Sequence, residues 1–327
     1  MRRLTPMLLL LTACGGTPAS DGTAERIVVP PGATFSNVLD SLDAHGLVGN
    51  RFLLKLRAKV TGADRAVHAG VYTIPRGTSD AEMLRLLGEG QRAEVRFTVP
   101  EGLTIGDIAD LAQERLGIPA DSFTAAARDS ALADSLGLAS SSFEGFLRPD
   151  TYQLPADITG RDLVRRLATE FLQVWKPEWD ARLDTLKLTR AELLALASIV
   201  EGEARVDEER EIIAGVYHNR LRIGMALQAD PTVQYAIMLR SGERKKRLFE
   251  KDYGFESPYN TYLHPGLPPG PVNSPGLRSI EAALYPDTVP YLFFVAQPDG
   301  RHVFTRTYRE HLRAVAEARR ARAASGS

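Results

Sequence analysis

The run T-R-A-E-L-L-A-L-A-S-I-V-E-G-E-A-R at residues 189–205 decides how the second half of the chain folds. Thr189 and Glu192 stand three apart, the spacing at which a hydroxyl and a carboxylate cap each other's backbone N–H groups, so a helix is expected to start there. Leu193, Leu194, Leu196, Ala197, Ile199 and Val200 then recur at helical spacing. Leu194, Ala197 and Ser198 precede Glu201 by one or two turns, which places Glu201 on that apolar or small face. Glu203, rotated about 200° from it, is expected to point to solvent, as are Asp207, Glu208 and Glu209. Two readings of Glu201 stand side by side: an acid whose pKa is raised by burial, or a carboxylate tied to a buried arginine.

Downstream, a helix is expected from about Asp207 to Arg222, with Ile212, Ile213, Val216 and Tyr217 on its apolar side. Asn219 and Arg220 continue that side, and a buried arginine needs a carboxylate or a sugar-like acceptor. Gly224 is expected to end the helix. Asp230 then reads as the N-cap of the next one, with Pro231 at its first position, and capping accounts for Asp230 by itself. Gln228 stands just before this start. Tyr259-Asn260-Thr261-Tyr262 leads into a segment in which eight of the twelve residues 265–276 are Pro or Gly. Such a stiff, irregular loop suits either the wall of a sugar groove or a plain structural crossover. Tyr291–Ala296 and His302–Thr305 read as a hairpin around Pro298-Asp299-Gly300, followed by a basic helix.

Upstream the chain repeats itself. V-P-P-G-A-T-F from Val29, I-P-R-G-T-S-D from Ile74 and V-P-E-G-L-T-I from Val99 each read as a strand end, a Pro-x-Gly turn and a helix start. Thr34, Ser79 and Thr104 occupy N-cap positions, and Glu82 and Asp107 follow at capping-box spacing. The third copy is similar to a LysM module, a unit associated with N-acetylglucosamine polymers; a purely structural arm of related units is the other reading. From Asp121 to about Leu188 the pattern is helical, interrupted by F-E-G-F-L-R-P-D-T-Y at 143–152, where Gly145 and Pro149 mark a loop. Glu144, between aromatic neighbours, is a costly place for a charge unless it is paired or functional.

Forty basic residues against forty-one acidic ones give a net charge of -1, which argues against nucleic-acid binding. The N-terminus departs from this ordinary composition. Two arginines, a short apolar run from Met7 to Leu11 and small residues lead to Cys14, the lone cysteine. The run is too short to span a bilayer. Leu11-Thr12-Ala13-Cys14 resembles a bacterial lipobox, so residues 1–13 read as a signal peptide, Cys14 as a lipidation site and residues 14–26 as a polar tether. A chance cysteine near a chain end is the alternative.

The runs A-S-I-V-E-G-E-A, Y-H-N-R-L-R-I-G-M-A-L-Q-A-D-P-T-V-Q-Y, Y-N-T-Y and G-L-P-P-G-P-V-N-S-P-G, together with E-G-F-L-R-P-D-T-Y, closely resemble the YceG-like family of endolytic murein transglycosylases. The resemblance covers roughly residues 27 to 315. It implies an α+β chain: a LysM-like strand-turn-helix arm over 27–120, a mixed helical and β catalytic domain over 121–315, and a basic, frayed tail over 316–327. It further implies a lyase that cuts MurNAc-β-1,4-GlcNAc bonds within nascent glycan strands, leaves 1,6-anhydroMurNAc ends and so terminates elongation. On this resemblance Glu201 is the catalytic glutamate, acting first as acid and then as base. Glu144, Asn219, Arg220, Gln228, Asp230, Asn260 and Tyr262 are expected to position the sugar or hold Glu201. No cofactor is called for, and no metal: H-E-x-x-H or comparable spacing is absent. The implied partners are peptidoglycan strands, a membrane reached through the lipid at the periplasmic side of the envelope, and peptidoglycan synthases. The chain departs from the family in two places, with a lipobox where members usually carry a transmembrane helix and Gly202 where a lysine is common. A lysozyme-type hydrolase using Glu144 or Asp230 as a second carboxylate, and a non-catalytic glycan-binding scaffold, remain as alternatives.

Overall fold

A computed structural model describes residues 23–30, 32–89, 94–138 and 140–325. The proposed signal peptide, Cys14 and most of the tether lie outside the described residues. The architecture is mixed α and β: thirteen α-helices and three two-stranded sheets among the described residues. None of these helices is long and apolar enough to cross a membrane.

The chain divides into two compact units, one of Met1–Arg96 with Gln153–Ile158 and the other of Phe97–Tyr152 with Thr159–Ser327. In the first unit, β1 (Ala24–Val29) and β2 (Gly70–Pro75) pair antiparallel, with Ile27 opposite Tyr72. Between them run α1 (Phe35–Ala44) and α2 (Arg51–Thr61), and α3 (Asp80–Glu89) follows β2. Ile27, Leu39, Leu42, Leu54, Tyr72, Ile74 and Leu87 form their shared core. The expected caps are present: Thr34 accepts from Asn37 N, and Ser79 accepts from Glu82 N.

The third copy also folds as read: β3 (Glu94–Val99) leads into α4 (Ile105–Leu116), whose Thr104 and Asp107 make the reciprocal capping box. β3 pairs with β4 (Asp150–Pro155). L-P-A-D-I-T, which begins with the last two residues of β4, is a fourth strand-turn-helix, with Thr159 capping α7 (Gly160–Val174) through Asp162 N. Its turn lacks the Pro-x-Gly that marks the other three. α5 (Ala120–Ala127) and α6 (Ser130–Ser135) lie between β3 and β4.

The second unit is organised around α9 (Arg190–Glu203), opened by the expected Thr189–Glu192 capping box. Every residue from Leu193 to Val200 is buried, because α8 (Pro177–Leu186), α10 (Arg210–Arg222), α11 (Asp230–Ser241) and α12 (Leu277–Leu284) all pack on it. A helix buried all round has no solvent face, so counting rotation from an apolar stripe does not tell which of its residues reach water. The Pro/Gly-rich loop is pinned beneath it: Val272 N donates to Ser198 Oγ at 3.0 Å and Asn273 Nδ2 to the Ser198 carbonyl at 2.8 Å. The loop also crosses Gly145, whose φ is +80° and where a Cβ would fall 2.4 Å from Pro271 Cγ. The hairpin of β5 (Phe293–Ala296) and β6 (His302–Thr305) forms with Phe294 opposite Phe304. α13 (Tyr308–Ser325) follows and takes in most of the segment expected to fray.

Candidate active site

The last turn of α9 carries the two glutamates into different surroundings. Glu201 Oε2 accepts from Gly276 N at 3.0 Å and from Ser279 Oγ at 2.8 Å, and lies 3.2 Å from Arg210 Nη1. Both partners of that ion pair are buried, and Arg210 also reaches Ser279 and Asp207. Of the two readings of Glu201, the arginine-tied carboxylate is the one these contacts display. Its neighbour Glu101 is pressed on Gly276, and burial and then the Glu201 charge raise the Glu101 pKa.

Glu203 does not point to solvent. It lines a cleft of about 550 Å³ together with Tyr217, Arg220, Gln228, Asp230 and Tyr262. As a residue it is half-buried, but its carboxyl end is enclosed, and burial followed by the Asp230 charge pushes its pKa up to about 7. Tyr217 Oη donates to Glu203 Oε1 at 3.1 Å, and the Asp230 backbone N–H also donates to it; both pull the other way without prevailing. Gly202 makes this arrangement possible. A Cβ there would fall 2.6 Å from Pro231 Cγ, so the bare backbone lets the start of α11 settle on the end of α9.

Asp230 is not a side-chain cap: α11 begins on Asp230 itself, after Ala229, and no side-chain cap bond forms. Its carboxylate instead accepts from Tyr262 Oη at 2.7 Å, and burial raises its pKa. Tyr253 packs against Tyr262 with centroids 4.5 Å apart and ring planes tilted by 42°, making an aromatic flank beside the two acids. Gln228 adopts φ +48°, a left-handed conformation costing on the order of 1–3 kcal/mol outside glycine. Its N–H donates to the Thr261 carbonyl and the Ala229 N–H to Thr261 Oγ1, which fix it there. Arg220 is held by backbone carbonyls and not by a carboxylate: Nε donates to the Leu292 carbonyl at 2.7 Å and Nη1 to the Leu227 carbonyl, tying the β5 edge to the cleft. Phe293, Phe294 and His302 of the hairpin complete the wall, and His302 is held by Glu209, its Nδ1 being 2.7 Å from Oε2. Glu209 is therefore buried and paired rather than solvated.

The other expected site residues lie outside this cleft. Asn219 Nδ2 donates to the Val289 and Tyr291 carbonyls, a brace between α10 and the chain before β5. Asn260 is fully buried, donating to the Tyr253 and Phe255 carbonyls and accepting from Tyr262 N, so it shapes the loop that presents Tyr262. Glu144 accepts from Ile105 N and from Tyr235 Oη, tying α4's first turn to α11; burial pushes it up to about 7. No residue of the 265–276 loop lines the cleft, and Val272, Asn273 and Ser274 are buried in the manner of a crossover. Glu203, Tyr217, Tyr253 and His302 were not singled out as site residues in the sequence; they converge from four separated segments, and no local pattern joins them.

A carboxyl whose pKa is raised to about 7, beside a second acid in an aromatic-walled cleft, can serve acid–base cleavage at a sugar linkage. The chain belongs to the YceG-like family, whose profile matches residues 27–317. It is 31% identical over 311 residues to an endolytic murein transglycosylase of Bacillus subtilis, covering 89% of this chain and 84% of that protein. A Streptococcus pneumoniae protein of the same name is 29% identical over 318 residues, and the match spans 88% of this chain but 57% of the longer relative. The crystal structure of a YceG-like protein from Listeria monocytogenes is similar at a TM-score of 0.60 and 27% identity, covering 90% of this chain and 99% of that one.

Proposed function

We propose that this chain is an endolytic murein transglycosylase, a lyase acting on peptidoglycan glycan strands, and that Glu203 is its acid and base. The observation that carries the assignment is the enclosed Glu203 carboxyl, pushed up to about 7 and facing a cleft in a chain of this family. Near neutral pH such a group holds a proton and can give it to the glycosidic oxygen of a MurNAc-β-1,4-GlcNAc bond as the C–O bond breaks. The carboxylate left behind then takes the proton of the MurNAc 6-hydroxyl while that oxygen bonds to the anomeric carbon. The products are a 1,6-anhydroMurNAc end and a free GlcNAc 4-hydroxyl, and Glu203 regains its proton. Tyr217 steadies the carboxylate between the two steps, and Asp230, held by Tyr262, supplies the negative charge that stabilises a developing oxocarbenium. Glu201 is held through Oε2 alone by Arg210, Ser279 and Gly276 N; as the acid and base that the family resemblance implies, it is the rival to Glu203.

Cutting within nascent strands ends their elongation, and the Cys14 lipobox supports attachment at the periplasmic side of the envelope, in reach of peptidoglycan synthases. The nearness of Asp230 to Glu203 favours one second reading, a two-carboxylate hydrolase. Mass spectrometry of the muropeptides released by wild type, Glu203→Gln and Glu201→Gln separates these readings. Anhydro ends from wild type and from folded Glu201→Gln, and none from Glu203→Gln, are expected. Reducing ends from wild type would make it a hydrolase, and anhydro ends persisting in Glu203→Gln would overturn the role of Glu203.

A further inference from the structure

Of the four exposed large apolar side chains described in the first unit, three fall on one helix and the fourth, Val28, on β1. On α2, Phe52 is 73% exposed, Leu56 50% and Val60 78%. They follow one another at four-residue spacing and form a single outward stripe, while Leu54 and Ala58 turn inward to the core. Such a row of large apolar groups facing water marks a surface that meets something apolar.

The charges on the same helix name the partner. Its eleven residues hold Arg51, Lys55, Arg57 and Lys59 and no acidic residue. Arg51 pairs with Asp40 and Asp43, and Arg57 lies 3.8 Å from Asp80. Lys55 and Lys59 are exposed along one edge of the stripe, where their stems can lie against apolar matter while the ammonium groups stay wet. An apolar stripe edged by lysines, without acids, has the make-up of a helix lying flat in the boundary of an anionic bilayer. The chain's own geometry agrees. β1 begins at Ala24, ten residues after Cys14, a span of at most about 36 Å fully extended. A lipid on Cys14 would thus hold this unit within reach of the surface.

We propose that α2 docks on an anionic membrane surface, with Phe52, Leu56 and Val60 entering the headgroup boundary and Lys55 and Lys59 meeting lipid phosphates. The docking stands apart from the lyase chemistry, since none of these residues lines the cleft.

The test uses the full chain carrying Cys14→Ala, so that no acyl group contributes, in flotation with phosphatidylglycerol-rich and with pure phosphatidylcholine vesicles. Phe52→Ser/Leu56→Ser/Val60→Ser and Lys55→Gln/Lys59→Gln are compared with their parent, and circular dichroism establishes that each is folded. The apolar triple is expected to lower partitioning onto anionic vesicles at least tenfold, and the lysine pair severalfold in a salt-dependent way. A Phe52→Trp reporter should shift its emission to the blue on anionic vesicles alone. Cleavage of soluble strands should be the same in all variants. Equal flotation of the triple and its parent overturns the proposal, as does equal binding to phosphatidylcholine. Stripe-dependent self-association or glycan pull-down, with no vesicle effect, overturns it in favour of a second copy or a sugar strand.

Discussion

Replacing Glu203 by glutamine should abolish cleavage and at the same time make the protein more stable in alkaline solution. In the folded chain Glu203 keeps its proton up to about pH 7, against an ordinary glutamate value of 4.5. Between those two pH values the folded state therefore binds more protons than the unfolded state. Stability contributed by this group is fully present below 4.5 and is lost as pH rises through 7. Each step of one in pKa is worth about 1.4 kcal/mol, so the gap of about 2.5 amounts to about 3 kcal/mol at full ionisation. Glutamine cannot ionise, and its carbonyl still accepts from Tyr217 Oη. Denaturant unfolding of wild type and Glu203→Gln at pH 4 and pH 8.5 checks the reasoning. The two should coincide at pH 4, and the variant should exceed wild type by up to about 3 kcal/mol at pH 8.5. Glu144, also pushed up to about 7, adds a similar slope to both proteins and cancels in the difference. An unchanged pH dependence in the variant would refute the claim that Glu203 is held protonated by the fold.

Three further outcomes follow from particular contacts. Glu201→Ala leaves the buried Arg210 with Asp207 as its one remaining carboxylate and should cost about 1–3 kcal/mol in an unfolding titration, and cleavage per folded molecule is largely retained if Glu203 is the acid. Tyr262→Phe removes the hydroxyl that lowers the Asp230 pKa, so kcat should fall about tenfold or more and the acid limb of its pH profile should move to higher pH. Gly145→Ala puts a methyl 2.4 Å from Pro271 Cγ on a backbone of φ +80°, and thermal melting should report a loss of more than about 1 kcal/mol.

The strand-turn-helix copies and the 189–192 capping box were legible because caps and turns are local: Thr34, Thr104 and Thr189 need only residues three places away. Glu203 was not legible, because its solvent position was inferred from a one-sided helix, and α9 has neighbours on every side. Asp230 was misread for a related reason. A capping residue and an acid aimed at a tyrosine thirty-two positions later have the same local sequence. Asn219 and Asn260 look like sugar-binding amides in a list of polar residues, yet both are spent on backbone carbonyls that only the folded chain brings near.

The bare backbone at Gly202 carries a consequence for adaptation. It lets α11 descend onto α9 and so sets how strongly Asp230 resists the charging of Glu203. If Glu203 is the acid, the working pH of the cleft is set by its burial first and then by the spacing of the two helices. A lineage meeting a more acidic or more alkaline wall could retune its enzyme at position 202, through a residue that need never touch the sugar.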